Sequence, residues 1–300
     1  FGHHEGWTVP QEQAQLISGR EKEHAHMASR WMNSRKVGRF ALKGVAGLSL
    51  GYILLPLFFV TWLAFFAQEI PSFPPDGYSL KWFAAIPGNE RFVSGFILSL
   101  QVAVTATIIG LALGVPAAVA LVRARFRGRE AISSILLLPL VVPGIVLGIA
   151  LYVFHVEAEI LTEWRILGTI GGLVTGHVLI VIPWTVRLVT ASLVGMDRSI
   201  EEAAQSLGAN RLTTFWRITL PAILPGMVAA ALFGFISSFG NLEMSLFIVG
   251  PGRTTLPIAI LQYLEWKIDP TIAAVSVLQI LFIGGAMVLT DRFVKISRVV

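Results

Sequence analysis

Ser199-Ile200-Glu201-Glu202-Ala203-Ala204-Gln205-Ser206-Leu207-Gly208 and, after nine intervening residues, Ile218-Thr219-Leu220-Pro221 form a polar segment between two apolar runs of membrane-spanning length. The segment carries its own ordering signals. Ser199 and Glu202 have the spacing of a capping box, in which hydroxyl and carboxylate satisfy the first free N–H groups, so a helix is expected from Ile200. Gly208 is expected to stop it, because glycine takes the left-handed conformation at little steric cost. Asn210 is a good cap for a second short helix through Phe215 and Trp216. Pro221, with Pro225 and Gly226 behind it, marks the start of the next apolar run. Ala203, Ala204 and Leu207 give the first helix a small, weakly apolar face suited to docking against another protein.

The runs on either side fix the class. Hydrophobic residues make up 55% of the 300 and charged residues 14%, against roughly a quarter charged in soluble domains. Six apolar segments occur, at about 45–67, 93–122, 131–154, 170–194, 222–249 and 271–290. Each reaches the ~20 residues that cross a hydrocarbon core as helix. The expected fold is an all-α integral membrane protein with six transmembrane helices and short cytoplasmic helices between spans four and five. The run from Val93 to Val122 is long enough to tilt or to extend past the bilayer. Residues 1–44 read as an amino-terminal extension, 45–294 as the transmembrane domain and 295–300 as a tail.

Basic residues set the orientation. Of the 23 Lys and Arg, 18 fall on one face: those before Val45, the Arg123, Arg125, Arg127 and Arg129 cluster, Arg187, Arg198, Arg211 and Arg217, and the tail. Lys81, Arg91, Arg165, Arg253 and Lys267 fall on the other. The positive-inside rule then puts both termini in the cytoplasm. The net charge of +5 is thus a topology signal, and its division among loops beside apolar spans argues for contact with lipid and against nucleic acid.

Catalysis finds little support. The chain has no cysteine, which excludes disulfides and thiol chemistry. His155 and His177 stand apart, and no glycine-rich phosphate loop with its lysine occurs, so the chain is not itself an ATPase. His3, His4, His24 and His26 are not expected to make a metal site: His24 and His26, two apart, do not share a helix face, and no carboxylate and cysteine set surrounds them. The polar first forty residues, without an early apolar core, are not expected to be a signal peptide. Gly110 and Gly114, like Gly172 and Gly176, have the small-x-x-x-small spacing that lets helices approach closely. Pro139 and Pro143 free backbone groups that only neighbouring helices or water can satisfy. The densest polar group in the spans is Ser237, Ser238, Asn241 and Glu243. Ser237, Asn241 and Ser245 recur every four residues and are expected on one helix face lining a translocation cavity. Glu243, on another face, is expected at a subunit contact or outer gate, since a carboxylate in a span needs water or a partner.

Glu202-Ala203-Ala204, Gly208 and Ile218-x-Leu220-Pro221 resemble, in register, the E-A-A-x3-G-x9-I-x-L-P loop of binding-protein-dependent ABC importer permeases. The resemblance spans roughly residues 40–295 and includes the six-span order and the run from Pro139 to Gly144. It implies that Glu202, Ala203, Ala204 and Gly208 form a coupling element, with Glu201, Leu207 and Ala209 contributing to the docked surface. The implied partners are a dimer of ATP-binding subunits, a second permease and a periplasmic substrate-binding protein. No cofactor belongs to this chain, ATP and magnesium residing on the ATPase, and the implied location is the bacterial inner membrane. Glu202 has two roles open to it: a helix cap, worth on the order of 1 kcal/mol, or a charge that pairs with a basic group of the ATPase.

Within the family, Pro74-Pro75-Asp76-Gly77-Tyr78-Ser79-Leu80, Ser237-Ser238-Phe239 and Thr255-Leu256-Pro257 are similar to the polyamine-type branch. That branch has an acid directly after the Ser-Phe pair, where Gly240 and Asn241 stand here. Other small solutes, such as aminophosphonates or amino-acid-like compounds, therefore stay open. The rival class is a channel or secondary carrier not driven by ATP, which needs ionisable relay residues within its spans.

Overall fold

The structure, a computed structural model, describes residues 42–294. The four amino-terminal histidines and residues 295–300 lie outside the described residues. Among these, six helices are long and apolar enough to cross a membrane. The described residues divide into two units, one ending at Val60 and one starting at Thr61. Helix α1 (Leu42–Leu63) falls mostly in the first; its 22 residues give about 33 Å of helix at 1.5 Å per residue, enough to span.

In the second unit, α2 (Lys81–Ala85) leads to α3 (Glu90–Arg123). Asn89 starts α3 by accepting from the Arg91 and Phe92 N–H groups. Its 34 residues reach about 51 Å, so one end stands clear of a ~30 Å core. Helix α4 (Arg129–Leu137), a 3₁₀ turn over Leu138–Leu140 and α5 (Gly144–Thr162) follow. The third span is therefore not the continuous 131–154 of the sequence reading. Pro139, which has no N–H to give, falls within the 3₁₀ turn with Leu138 still helical, and the backbone leaves the helical region at Pro143, at ψ 136°, so the crossing helix starts only at Gly144.

Helix α6 (Ile170–Gly195) is the fourth span. After it come α7 (Arg198–Ser206), α8 (Arg211–Thr214), a π-helical stretch over Phe215–Thr219 and α9 (Leu220–Phe239). The second short helix is not separate: residues Arg211–Phe239 run as one span. The π stretch absorbs the junction, with the Leu220 N–H bonding to the Phe215 carbonyl just before Pro221, which has no N–H to give. The fifth span also ends at Phe239 rather than near residue 249. Gly240 and Asn241 turn the chain into α10 (Ser245–Ile248). Helix α11 (Leu256–Trp266), which the sequence reading missed, precedes the sixth span, α12 (Thr271–Val294). Its first N–H, that of Leu256, is satisfied by Ser99 Oγ of α3 at 2.9 Å.

Helices α3, α6 and α9 form the centre, and small residues decide how closely they pack. A Cβ placed on Gly110 of α3 would stand 2.7 Å from Val181 Cβ of α6. One on Gly234 of α9 would stand 2.8 Å from Val181 Cγ1. Val181, fully buried, is thus a wedge received by notches on two helices. Gly114 receives Thr185 in the same way, at 2.7 Å. The expectation for Gly110 and Gly114 holds. Gly176, by contrast, makes room for Ile248 of α10, and Gly172 for the backbone of Ile166.

Candidate functional site

Two groups of polar residues stand out, one at an end of the spans and one within them. At the first, α7 begins two residues earlier than the capping box implied. Asp197, not Ser199, is its N-cap, accepting from the Ser199 N–H at 2.9 Å, and this bond holds the Asp197 carboxyl below the usual carboxylate range. Glu202 does not reach back to the helix start. It pairs with Arg198 one turn away at 3.2 Å, both side chains well exposed, an arrangement that contributes little to stability. Gly208 ends α7 in the left-handed region, at φ +92°, and Asn210 caps α8 by accepting from the Thr213 N–H at 2.8 Å. Both match the sequence reading.

Glu201 does not. Expected on the surface, it is the buried residue of α7, 8% exposed. Its Oε2 lies 2.9 Å from Arg123 Nε at the end of α3, an ion pair whose N–H does not point along the contact. Its Oε1 accepts from the Thr219 hydroxyl at 2.6 Å, at the end of the π stretch. Arg123 also donates through Nη2 to the Leu193 carbonyl of α6 at 3.4 Å. Beneath this node lies an apolar cluster of Val115, Ala118, Val189, Leu193, Ile223 and Ala230. Neither Arg123 nor Thr219 was legible as a partner, because the pairing joins segments distant in sequence. On the outer side, Leu207 is 90% exposed. Ile200, Leu212 and Trp216 are exposed too, as are Glu202, Ala203 and Gly208, while Ala204 and Ala209 are half-buried.

In the second group, the end of α9 at Phe239 breaks the helix face on which Ser237, Asn241 and Ser245 were to align. Ser237, Asn241 and Glu243 still meet, around a cavity of about 510 Å³ that Trp184, Gly144 and Pro139 also line. Trp184 stacks on Phe233 with ring centroids 5.2 Å apart. Glu243 sits against the first turn of α5, its Cβ 3.1 Å from where a Gly144 Cβ would be, and helix N-termini favour a carboxylate. Ser245 turns away and is fully buried. Its hydroxyl donates to the Asn241 carbonyl at 2.9 Å and lies 3.1 Å from His177 Nε2. On its other side, His177 Nδ1 lies 2.7 Å from Ser238 Oγ. His177 therefore ties α6 to the turn that carries Asn241 and Glu243. Among the described residues no three His, Asp or Glu come together as a metal site.

An all-helical membrane subunit with a capped polar element between its fourth and fifth spans, and a polar cavity beside the break after the fifth, has the form of a transport permease. The family described as binding-protein-dependent transport system inner membrane component matches residues 110–298, and the chain belongs to it. The putrescine transport system permease protein PotI of Escherichia coli (strain K12) is 33% identical over 203 residues, 67% of this chain and 72% of that protein. The spermidine/putrescine transport system permease protein PotC of the same strain is 27% identical over 259 residues, 86% and 95% of the two chains. Among solved structures, a bacterial ABC transporter involved in the import of the acidic polysaccharide alginate superimposes with TM-score 0.65 at 15% identity, covering 87% of this chain and 97% of that one, a likeness of fold alone. The chain is thus a permease subunit of a binding-protein-dependent ABC importer, not an enzyme.

Proposed function

We propose that this permease works in an ATP-driven importer of a small organic solute of polyamine type, with α7 and α8 as the element that docks on the ATP-binding subunit. The observation that carries the reading is the two-sidedness of α7: Glu201 is buried toward the spans while Leu207 and its exposed neighbours face away from them. An apolar, rigidly capped surface outside the spans calls for a protein partner. In this reading, a dimer of ATP-binding subunits engages Glu202, Ala203, Ala204, Leu207, Gly208 and Ala209. A second permease completes the path, and a periplasmic binding protein delivers the solute in the bacterial inner membrane. The names of the relatives support a polyamine-type solute, as does Glu243, which is the one ionisable group of its cavity.

Two experiments test this. Reporter fusions after Arg127 and after Gly252 should show cytoplasmic activity at the first and periplasmic activity at the second, as the basic-residue split demands; the reverse pattern contradicts the six-span topology. For the path, single cysteines at positions 237 and 241 of this cysteine-free chain should react with a small polar thiol reagent, and ATP should change the rate in the assembled importer. A cysteine at 245, buried against His177, should stay unreactive. Reaction at 245 with silence at 237 and 241 means that the cavity is not the path.

A further inference from the structure

Helix α7 has nine residues and Glu201 is its one buried side chain. Its one large apolar residue, Ile200, and its C-cap Leu207 are exposed. What ties this helix to the spans is therefore chiefly a charge and not apolar packing. That charge meets three elements at once: Arg123 at the end of α3, Thr219 where the π stretch joins α9 and, through Arg123, the Leu193 carbonyl in the last turn of α6. We propose that Arg123 is a positioning residue for coupling, an inference that rests on the docking role of α7. By its ion pair with Glu201 it makes α7 move as one body with the ends of α3, α6 and α9. Displacement taken up at the docking surface then reaches the three helices that meet at Val181, and through α6 and α9 the wall of the cavity at Trp184 and Ser237.

Charge gives this link its stiffness. Both side chains are largely withdrawn from water, and removing one partner leaves the other desolvated and uncompensated, the costly way to break a buried pair. A loosened α7 can still meet its partner through Leu207, but it no longer drags the spans. Thr219 adds a second tether on a π turn, a geometry often found where a helix must adjust for function.

The experiment uses the assembled importer, permeases with their ATP-binding subunits, with Asn241→Cys as reporter and Mg-ATP as the only ligand. ATP should change the thiol-labelling rate in this background. Arg123→Gln should reduce the ATP effect about tenfold, the order of a coupling free energy carried by one contact network, in complexes that still assemble. The charge-swapped pair, Arg123→Glu with Glu201→Arg, should restore most of it. That rescue, which a merely structural role would not produce, is the signature of direct interaction. If Arg123→Gln does not assemble, Thr219→Val reads the same node from its other side and should also lower the ATP effect. An ATP effect unchanged in Arg123→Gln or Thr219→Val, or singles that fail without rescue by the swap, overturns the proposal. Leu207→Glu, on the outer face, separates the two readings. If it leaves the ATP effect intact, the docking role of α7 fails; if it removes the effect while Arg123→Gln does not, only the role of Arg123 fails.

Discussion

Replacing Gly208 with Val should abolish most of the stimulation of ATP hydrolysis by loaded binding protein in the reconstituted importer. The residue sits at φ +92°, where a side chain costs roughly 1–2 kcal/mol, most of all when β-branched. That cost alone changes the population of the native turn by about 5–30-fold. A Cβ at this position meets nothing within 4 Å, so the penalty is conformational and not steric. Gly208→Asn, a residue that tolerates the left-handed region, should therefore retain most of the stimulation. Loss in both variants would point to the side chain itself; unchanged stimulation in Gly208→Val with the complex intact would remove this loop from coupling.

The second large effect lies in the membrane. Gly110→Leu should lower the thermal midpoint of the purified importer by about 10 °C, from an overpacking cost near 3 kcal/mol. The reason is the wedge: Val181 is fully buried and fills the space that any Gly110 side chain needs. Because Val181 also seats against Gly234, it has no second notch into which to retreat. Gly285→Leu on α12, with nothing within 4 Å of its Cβ, should move the midpoint by no more than about 2 °C. Equal losses at both positions would show that glycine content, and not this contact, governs stability.

Local chemistry explains what could be read from residues alone. Gly208 and Asn210 announced their turns because a left-handed glycine and an Asx cap need only their immediate neighbours. Apolar length placed four of the six spans closely, since crossing a bilayer is a constraint on each helix by itself. The third span was misjudged because hydropathy runs through Pro139 and Pro143 while the helix does not. The fifth was overextended for a similar reason: the residues of α10 are apolar, yet Gly240 and Asn241 turn the chain before them. Glu201 and Glu202 are adjacent and chemically alike, so nothing local says which one is buried; Arg123 and Thr219 decide it from other helices. The capping box put the helix start at Ser199, but Asp197, two residues before it, takes the Ser199 N–H and starts the helix earlier. His177 was set aside as isolated because its partners, Ser238 and Ser245, lie on other elements.

The docking of α7 on an ATP-binding subunit is the claim on which the rest turns, and cross-linking tests it most directly. A single cysteine in place of Leu207, in this chain without other cysteines, is treated with a short bifunctional thiol-to-amine reagent in the assembled importer, beside a matching cysteine in place of Gly252. The account predicts a covalent adduct between the position-207 variant and the ATP-binding subunit, and none from position 252. An adduct from position 252, with position 207 silent, would contradict it.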